Sequence, residues 1–170
     1  GLWVSNNAKD NGWEATAAIW ASGALIKDRL FAYGLVQYGK TASEAYTSRY
    51  GNTNLDSSSK RPQWLAKVDW QITDNHSLEL TAFSDKRKFE DDYYRAVFPD
   101  STTSPGGTVT VGPNPTNYNG TFLGTDFNEA GGDSWVAKYT GYITDNFTLS
   151  ALYGHGEFSR SNYGVSASGV

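Results

Sequence analysis

Few residues in this chain are placed to do chemistry. It holds two histidines, His76 and His155, and no cysteine. Neither histidine has a second histidine or a thiolate at metal-ligand spacing. Asp91 and Asp92 are adjacent acids that a calcium ion would accept, but two acids supply only part of its oxygen shell. No phosphate-cradling glycine loop, nucleophile elbow or zinc-helix motif occurs. The chain therefore reads as a non-enzyme with no cofactor and no metal.

Two lysines, Lys67 and Lys138, occupy the same place in a repeated phrase. "WLAKVDWQITDNHSLEL" begins at Trp64 and "WVAKYTGYITDNFTLSA" begins at Trp135, and the ungapped pair is identical at 8 of 17 positions. In the first copy Trp64, Ala66, Val68, Trp70 and Ile72 are apolar, and Lys67, Asp69, Gln71 and Thr73 are polar. Such period-two alternation predicts a strand with one apolar and one polar face. Leu78, Leu80 and Ala82 resume the pattern after "TDNH", opposite Ser77, Glu79 and Thr81. Asp74 and Asn75 tolerate left-handed backbone and suit a tight turn. The expected register pairs Ile72 with Leu78 and Trp70 with Leu80, leaving Asp74, Asn75 and His76 as a three-residue loop. On the polar face it pairs Gln71 with Glu79 and Asp69 with Thr81.

The second copy obeys the same rules. Trp135, Ala137, Tyr139, Gly141 and Ile143, then Phe147, Leu149, Ala151 and Tyr153, line its apolar face. Lys67 and Lys138 fall on the polar face beside Asp69 and Glu79. They read either as ligand contacts or as a charge ladder across strands, and the ladder is the preferred reading. A third hairpin is expected upstream, around Lys27–Asp28. Its first arm alternates Trp13, Ala15, Ala17, Ile19 and Ala21 with Glu14, Thr16 and Ser22; the facing of its second arm is unresolved.

Composition agrees with an all-β chain. Aromatics make up 15% and there are 18 glycines in 170 residues, which favours strands and turns. The net charge of −4 offers no basic surface for nucleic acid. No apolar run is long enough for a membrane-spanning helix. A mean hydropathy of −0.54 is still compatible with a transmembrane barrel, whose strands are apolar on one face only. The tight turns alternate with long polar connections at about 40–63 and 89–133, as in outer-membrane barrels, which have short periplasmic turns and long external loops. The chain opens at Gly1 and contains no methionine, as expected of a processed product or part of a longer protein.

These hairpins resemble the TonB-dependent outer-membrane receptors, in particular the Oar-like branch. "SGALIKDRLFAYG" at Ser22–Gly34 is similar to that branch's early barrel hairpin, and the two repeated phrases are similar to its next ones. The resemblance covers the strands, about half of the chain. It implies an antiparallel up-and-down transmembrane β-barrel of about 22 strands with an internal plug, in the bacterial outer membrane, importing a scarce ligand with energy passed through TonB. No plug-like region and no TonB box is visible. About six strands in three hairpins (13–39, 64–88 and 134–158) would form part of one larger barrel domain. Its partners would be outer-membrane lipid, the rest of the barrel and plug, and the TonB system, with the ligand unidentified. Trp64, Val68, Trp70, Leu78, Leu80, Trp135, Tyr139 and Leu149 would face lipid. Lys67, Asp69, Glu79 and Lys138 would face the lumen.

Further candidates sit outside the hairpins. "DKRKFEDDYYRAVF" at Asp85–Phe98 is the densest charged and aromatic run. Tyr93, Tyr94 and Arg95 within it are candidate ligand contacts, because Tyr and Arg are common binding anchors; the run also reads as a strand continuing into a solvated loop. Trp64, Trp70, Trp135, Tyr139 and Phe147 fit an interfacial aromatic girdle. Asn119 and Asn146 open Asn-X-Thr sequences, a coincidental match in a bacterial outer-membrane protein. Rival readings are another outer-membrane barrel (porin, autotransporter or adhesin) and a secreted soluble β-sandwich binding domain.

Overall fold

A computed structural model describes residues 9–47, 53–99, 102–103, 109–110 and 117–167. They form strands and turns without a helix. The strands are β1 (Asn11–Ile26), β2 (Leu30–Ala45), β3 (Thr53–Thr73), β4 (His76–Ser84), β5 (Arg87–Val97), β6 (Thr102–Thr103), β7 (Val109–Thr110), β8 (Tyr118–Gly131), β9 (Asp133–Thr144), β10 (Phe147–Gly156) and β11 (Ser159–Ser166). β6 and β7 pair only with each other, and the other nine make one antiparallel sheet.

Those nine strands lie end to end as six ribbons in sequence order. β4 continues into β5, β9 follows β8, and β10 continues into β11. β3 is long enough to pair with β4 through its second half and with β5 through its first. The register runs unbroken across each junction. Ser84 faces Asp133 and Arg87 faces Ala130, three residues on along both chains. Gly156 faces Ser134 and Ser159 faces Gly131, again three and three. No residue is inserted at these levels; the ladder lapses and resumes in phase.

The lapses share one level, and the sequence there explains them. Pro62 has no N–H to donate. It keeps its place opposite Tyr38 of β2, so the missing donor belongs on the β4–β5 side, where pairing stops between Lys60 and Trp64. Gly131 has φ 109°, a left-handed conformation that favours glycine. A Cβ on Gly132 would fall 1.6 Å from the Glu157 carbonyl oxygen, so only glycine permits the approach of these two ribbons.

The repeated phrase produces the same turn twice. Thr73 faces His76 and Thr144 faces Phe147, each across the two-residue turn Asp-Asn. The ladder shifts beside the turn so that Ile72 and Ile143 are skipped as bulges. This corrects the expected register by two residues. Trp70 faces Leu78 instead of Leu80, Asp69 faces Glu79 instead of Thr81, and His76 belongs to the strand rather than to a three-residue loop. A two-residue slip preserves the face of every side chain, so the apolar and polar sets survive it up to the bulge; beyond it Thr73 shifts from the expected polar face to stand opposite His76. Asp28, in the first turn, is the one non-glycine residue with positive φ (59°) among the described residues.

The strands also run further than the alternation indicated. β2 extends to Ala45 and β3 starts at Thr53, β5 reaches Val97 and β8 starts at Tyr118. The connections expected at 40–63 and 89–133 are therefore much shorter, because Ser, Thr, Asp and Tyr pair as ladders here without any alternation to signal it. Burial is slight. Ala130 is the single buried apolar side chain among the described residues, and Asn54, Ser59, Ser84 and Asn117 are buried polar ones. The sheet is not closed: β1 pairs only with β2, β10 only with β9 and β11 only with β8.

Candidate functional site

Residues directly opposite across the ladder share a face, so the register sorts every side chain into one of two faces. Trp64, Val68, Trp70, Leu78, Leu80, Trp135, Tyr139 and Leu149 all fall on one of them. The second arm of the first hairpin is now placed: Leu30, Ala32, Gly34 and Val36 share that face, while Phe31, Tyr33 and Leu35 take the other. On β3 the apolar face runs from Pro62 to Trp70, nine residues. Across the ribbons it includes the row Gly23, Ala32, Val68, Leu80, Ala137 and Tyr153. These side chains stay largely uncovered: Ile19 is 73% exposed, Trp70 44% and Leu80 41%.

Lysines bound this band. Lys40 faces Lys60 and Lys60 faces Lys88, directly above Pro62 on the same face. Lys40 lies 5.6 Å over the Trp13 ring, and Lys88 pairs with Glu129 at 2.6 Å. Glu129 raises the Lys88 ammonium above its ordinary value.

The opposite face carries Lys67, Asp69, Glu79 and Lys138. Lys67 lies 3.0 Å from Asp69 and 3.6 Å from Glu79, and Lys138 lies 3.2 Å from Glu79. All four form one network of alternating sign across three ribbons, the geometry of a charge ladder. This face is not uniformly polar, since Trp20, Leu35, Leu65 and Phe83 make an apolar row across it.

The end of the sheet remote from the tight turns is tied by asparagines. The Asn54 side chain, 1% exposed, donates from Nδ2 to Oδ1 of both Asn117 and Asn119 at 2.9 Å and accepts the Thr47 N–H at 2.9 Å. Asn117 donates to the Thr47 carbonyl at 2.8 Å, and Asn119 to Asp56 at 3.3 Å. Nearby, a 230 Å³ cleft is lined by Trp13, Glu44, Asp56, Glu90 and Asp92 among others. Burial raises the Asp56 carboxyl, Glu44 and Asp92 raise it further, and the Asn119 hydrogen bond opposes them. No group of three acids or histidines there, or elsewhere among the described residues, is arranged to hold a metal ion.

Scans against protein-family models, curated proteins and solved structures found no match to this chain.

Tyr93 and Arg95 share one face, opposite Leu55 and Thr53, and Tyr94 takes the other, opposite Asn54. Tyr93 borders a groove with Asp126 and Gly124, Tyr94 packs against Phe122 at 5.4 Å, and Arg95 is exposed. Burial first, then Asp126 and Asp91, raise the Tyr93 phenol. Asp91 and Asp92 also point to opposite faces and do not converge on one ion. His76 bonds Tyr139, and His155 lies 3.3 Å from Glu157. The asparagine knot, the lysine row and the acidic cleft escaped sequence reading, because each joins residues whose neighbourhood exists only once the ribbons are in register.

Proposed function

We propose that this chain is part of the wall of an outer-membrane β-barrel, in a receptor that takes up a scarce ligand through TonB. The observation that carries the barrel reading is the two-faced sheet. One face holds an apolar band nine residues long on β3, and a membrane-crossing strand needs about 9–11 residues. Lysines edge the band, where long stems reach along apolar surface and charged heads reach water. The other face carries a charge ladder suited to a wet lumen. A soluble sandwich would cover such an apolar face with a second sheet, and the second sheet among the described residues is only the β6–β7 pair of two-residue strands.

The unpaired edges point the same way. β1 is a 16-residue edge strand, and open edges are not tolerated in hydrocarbon. Further strands would pair with β1 and with the β10–β11 ribbon. The transport part is supported by the resemblance of the hairpin wording to TonB-dependent receptors. The plug expected on that reading would find Trp20, Leu35, Leu65 and Phe83 to pack against on the lumenal face.

The deciding experiment is fractionation of cells expressing the full protein that contains this chain. It should sediment with outer membranes and leave them folded only in detergent. A folded, monomeric protein in plain buffer would overturn the barrel reading. The transport reading needs the same protein to retain the periplasmic domain of TonB in a pull-down, and no retention would remove it.

A further inference from the structure

The polar face carries three arginines at one level, just beyond the lapse in the ladder. Arg87 of β5 and Arg160 of β11 both stand opposite Ala130 of β8. They therefore share a face and flank one small residue. Neighbouring strands lie about 4.8 Å apart, which sets the two arginine Cα atoms about 10 Å apart. Ala130 between them is 8% exposed and presents only a methyl group. Arg61 belongs to the same face by alternation from Ser59, which faces Phe89.

Their partners differ. Arg61 is ion-paired with Glu14. Arg87 lies 6.0 Å from the Phe89 ring centroid, which orients it without neutralising it. Neither Arg87 nor Arg160 forms an ion pair with an acid among the described residues. The next row on this face adds Asn128 opposite Asn162, whose amides are further donors. Asp85, within the lapse, accepts the Gly132 N–H at 2.9 Å. The register thus sets two guanidinium side chains without an ion-pair partner at one level of this face, two rows from Asp91 and Asp126, the acids further along it.

We propose that Arg87 and Arg160, with Asn128 and Asn162 behind them, form an oxyanion subsite that takes a phosphate, sulfate or carboxylate group of a ligand passing along this face. Planar guanidinium forks bind such groups by paired, charge-assisted hydrogen bonds. Two forks facing each other across a methyl group would grip one oxyanion from both sides. Like charges this close in a sheet oppose one another, and a bound anion relieves that repulsion. The inference rests on the proposed function only in calling this face lumenal.

The test is calorimetric titration of the full protein in detergent with inorganic pyrophosphate, at ionic strength matched with sodium chloride. Saturable binding is expected. Arg160→Gln should weaken it by about tenfold or more, the scale of one lost charge-assisted contact. Arg160→Lys should weaken it less, because charge remains while the fork is lost. Lys60→Gln, on the opposite face, should leave it unchanged. Absence of saturable binding, or equal loss in Arg160→Gln and Lys60→Gln, would overturn the subsite. Detergent-free solubility would refute the barrel while leaving this titration interpretable, so the two ideas fail separately.

Discussion

The Tyr139 hydroxyl lies 2.6 Å from Nδ1 of His76, with the two rings stacked at 5.9 Å. The contact joins β9 to β4 beside the tight turns and exists because position 141 is glycine. A Cβ on Gly141, which faces His76, would come within 2.5 Å of the Tyr139 hydroxyl and 3.0 Å of His76 Nδ1. Tyr139→Phe should cost about 1 kcal/mol in urea unfolding from detergent, the usual worth of one hydrogen bond. Gly141→Ala should cost at least as much by displacing the ring. If both variants unfold like the parent, the contact is not holding the two hairpins together.

Val68 and Lys67 are chain neighbours on opposite faces, which the proposed barrel turns toward lipid and lumen respectively. Val68→Arg should destabilise by roughly 2–4 kcal/mol if Val68 stands near the bilayer midplane. Lys67→Ala breaks two exposed ion pairs, to Asp69 and Glu79, and should change stability by less than about 1 kcal/mol. Equal, mild effects in a bilayer folding assay would show that the apolar face does not meet lipid.

Asn54 is the hub of the remote end. Asn54→Ala strands the Asn117 and Asn119 carbonyl oxygens and the Thr47 N–H. Each buried group left unpaired costs about 1–3 kcal/mol. Hydrogen exchange should quicken at Thr47 and at residues 117–119 while the strands around Val68 stay protected. Unchanged exchange at Thr47 would mean the knot contributes nothing.

Asp56 gives the same end a dependence on pH. Its carboxyl is raised above 3.8 in the folded state, so the folded protein holds its proton more tightly than the unfolded chain. This contribution to stability is fully present below the unfolded value and is lost as pH rises through the folded one. Asp56→Asn keeps a carbonyl oxygen to accept from Asn119 and removes the titration. The local opening that exposes Thr47 should become more frequent as pH rises from about 4 in the parent, and less so in the variant. A parent whose exchange, corrected for intrinsic rate, slows over that rise would reverse the sign.

Sidedness is testable because the chain has no cysteine. The tight turns should face the periplasm and the asparagine-tied end the exterior. A membrane-impermeant maleimide added to whole cells should label Arg95→Cys and spare Asn75→Cys. Labelling of Asn75→Cys alone would invert the orientation.

Alternation from Trp64 to Ala82, and again from Trp135 to Tyr153, was enough to determine the hairpins and which strand side chains share a face, but neither the length of the first turn nor the register. Period two is a local property of the chain, and a register slip of two residues leaves it intact. Alternation could not show the bulges at Ile72 and Ile143, since a skipped residue is visible only against its partner strand. Nor could it show that β2, β3, β5 and β8 continue beyond the apolar band, where polar residues occupy both faces. The partnerships of Asn54 with Asn117, Lys60 with Lys88, and Arg87 with Arg160 across Ala130 were decided by the tertiary structure alone. They join positions dozens of residues apart, and only the cross-strand register brings such positions to one level on one face.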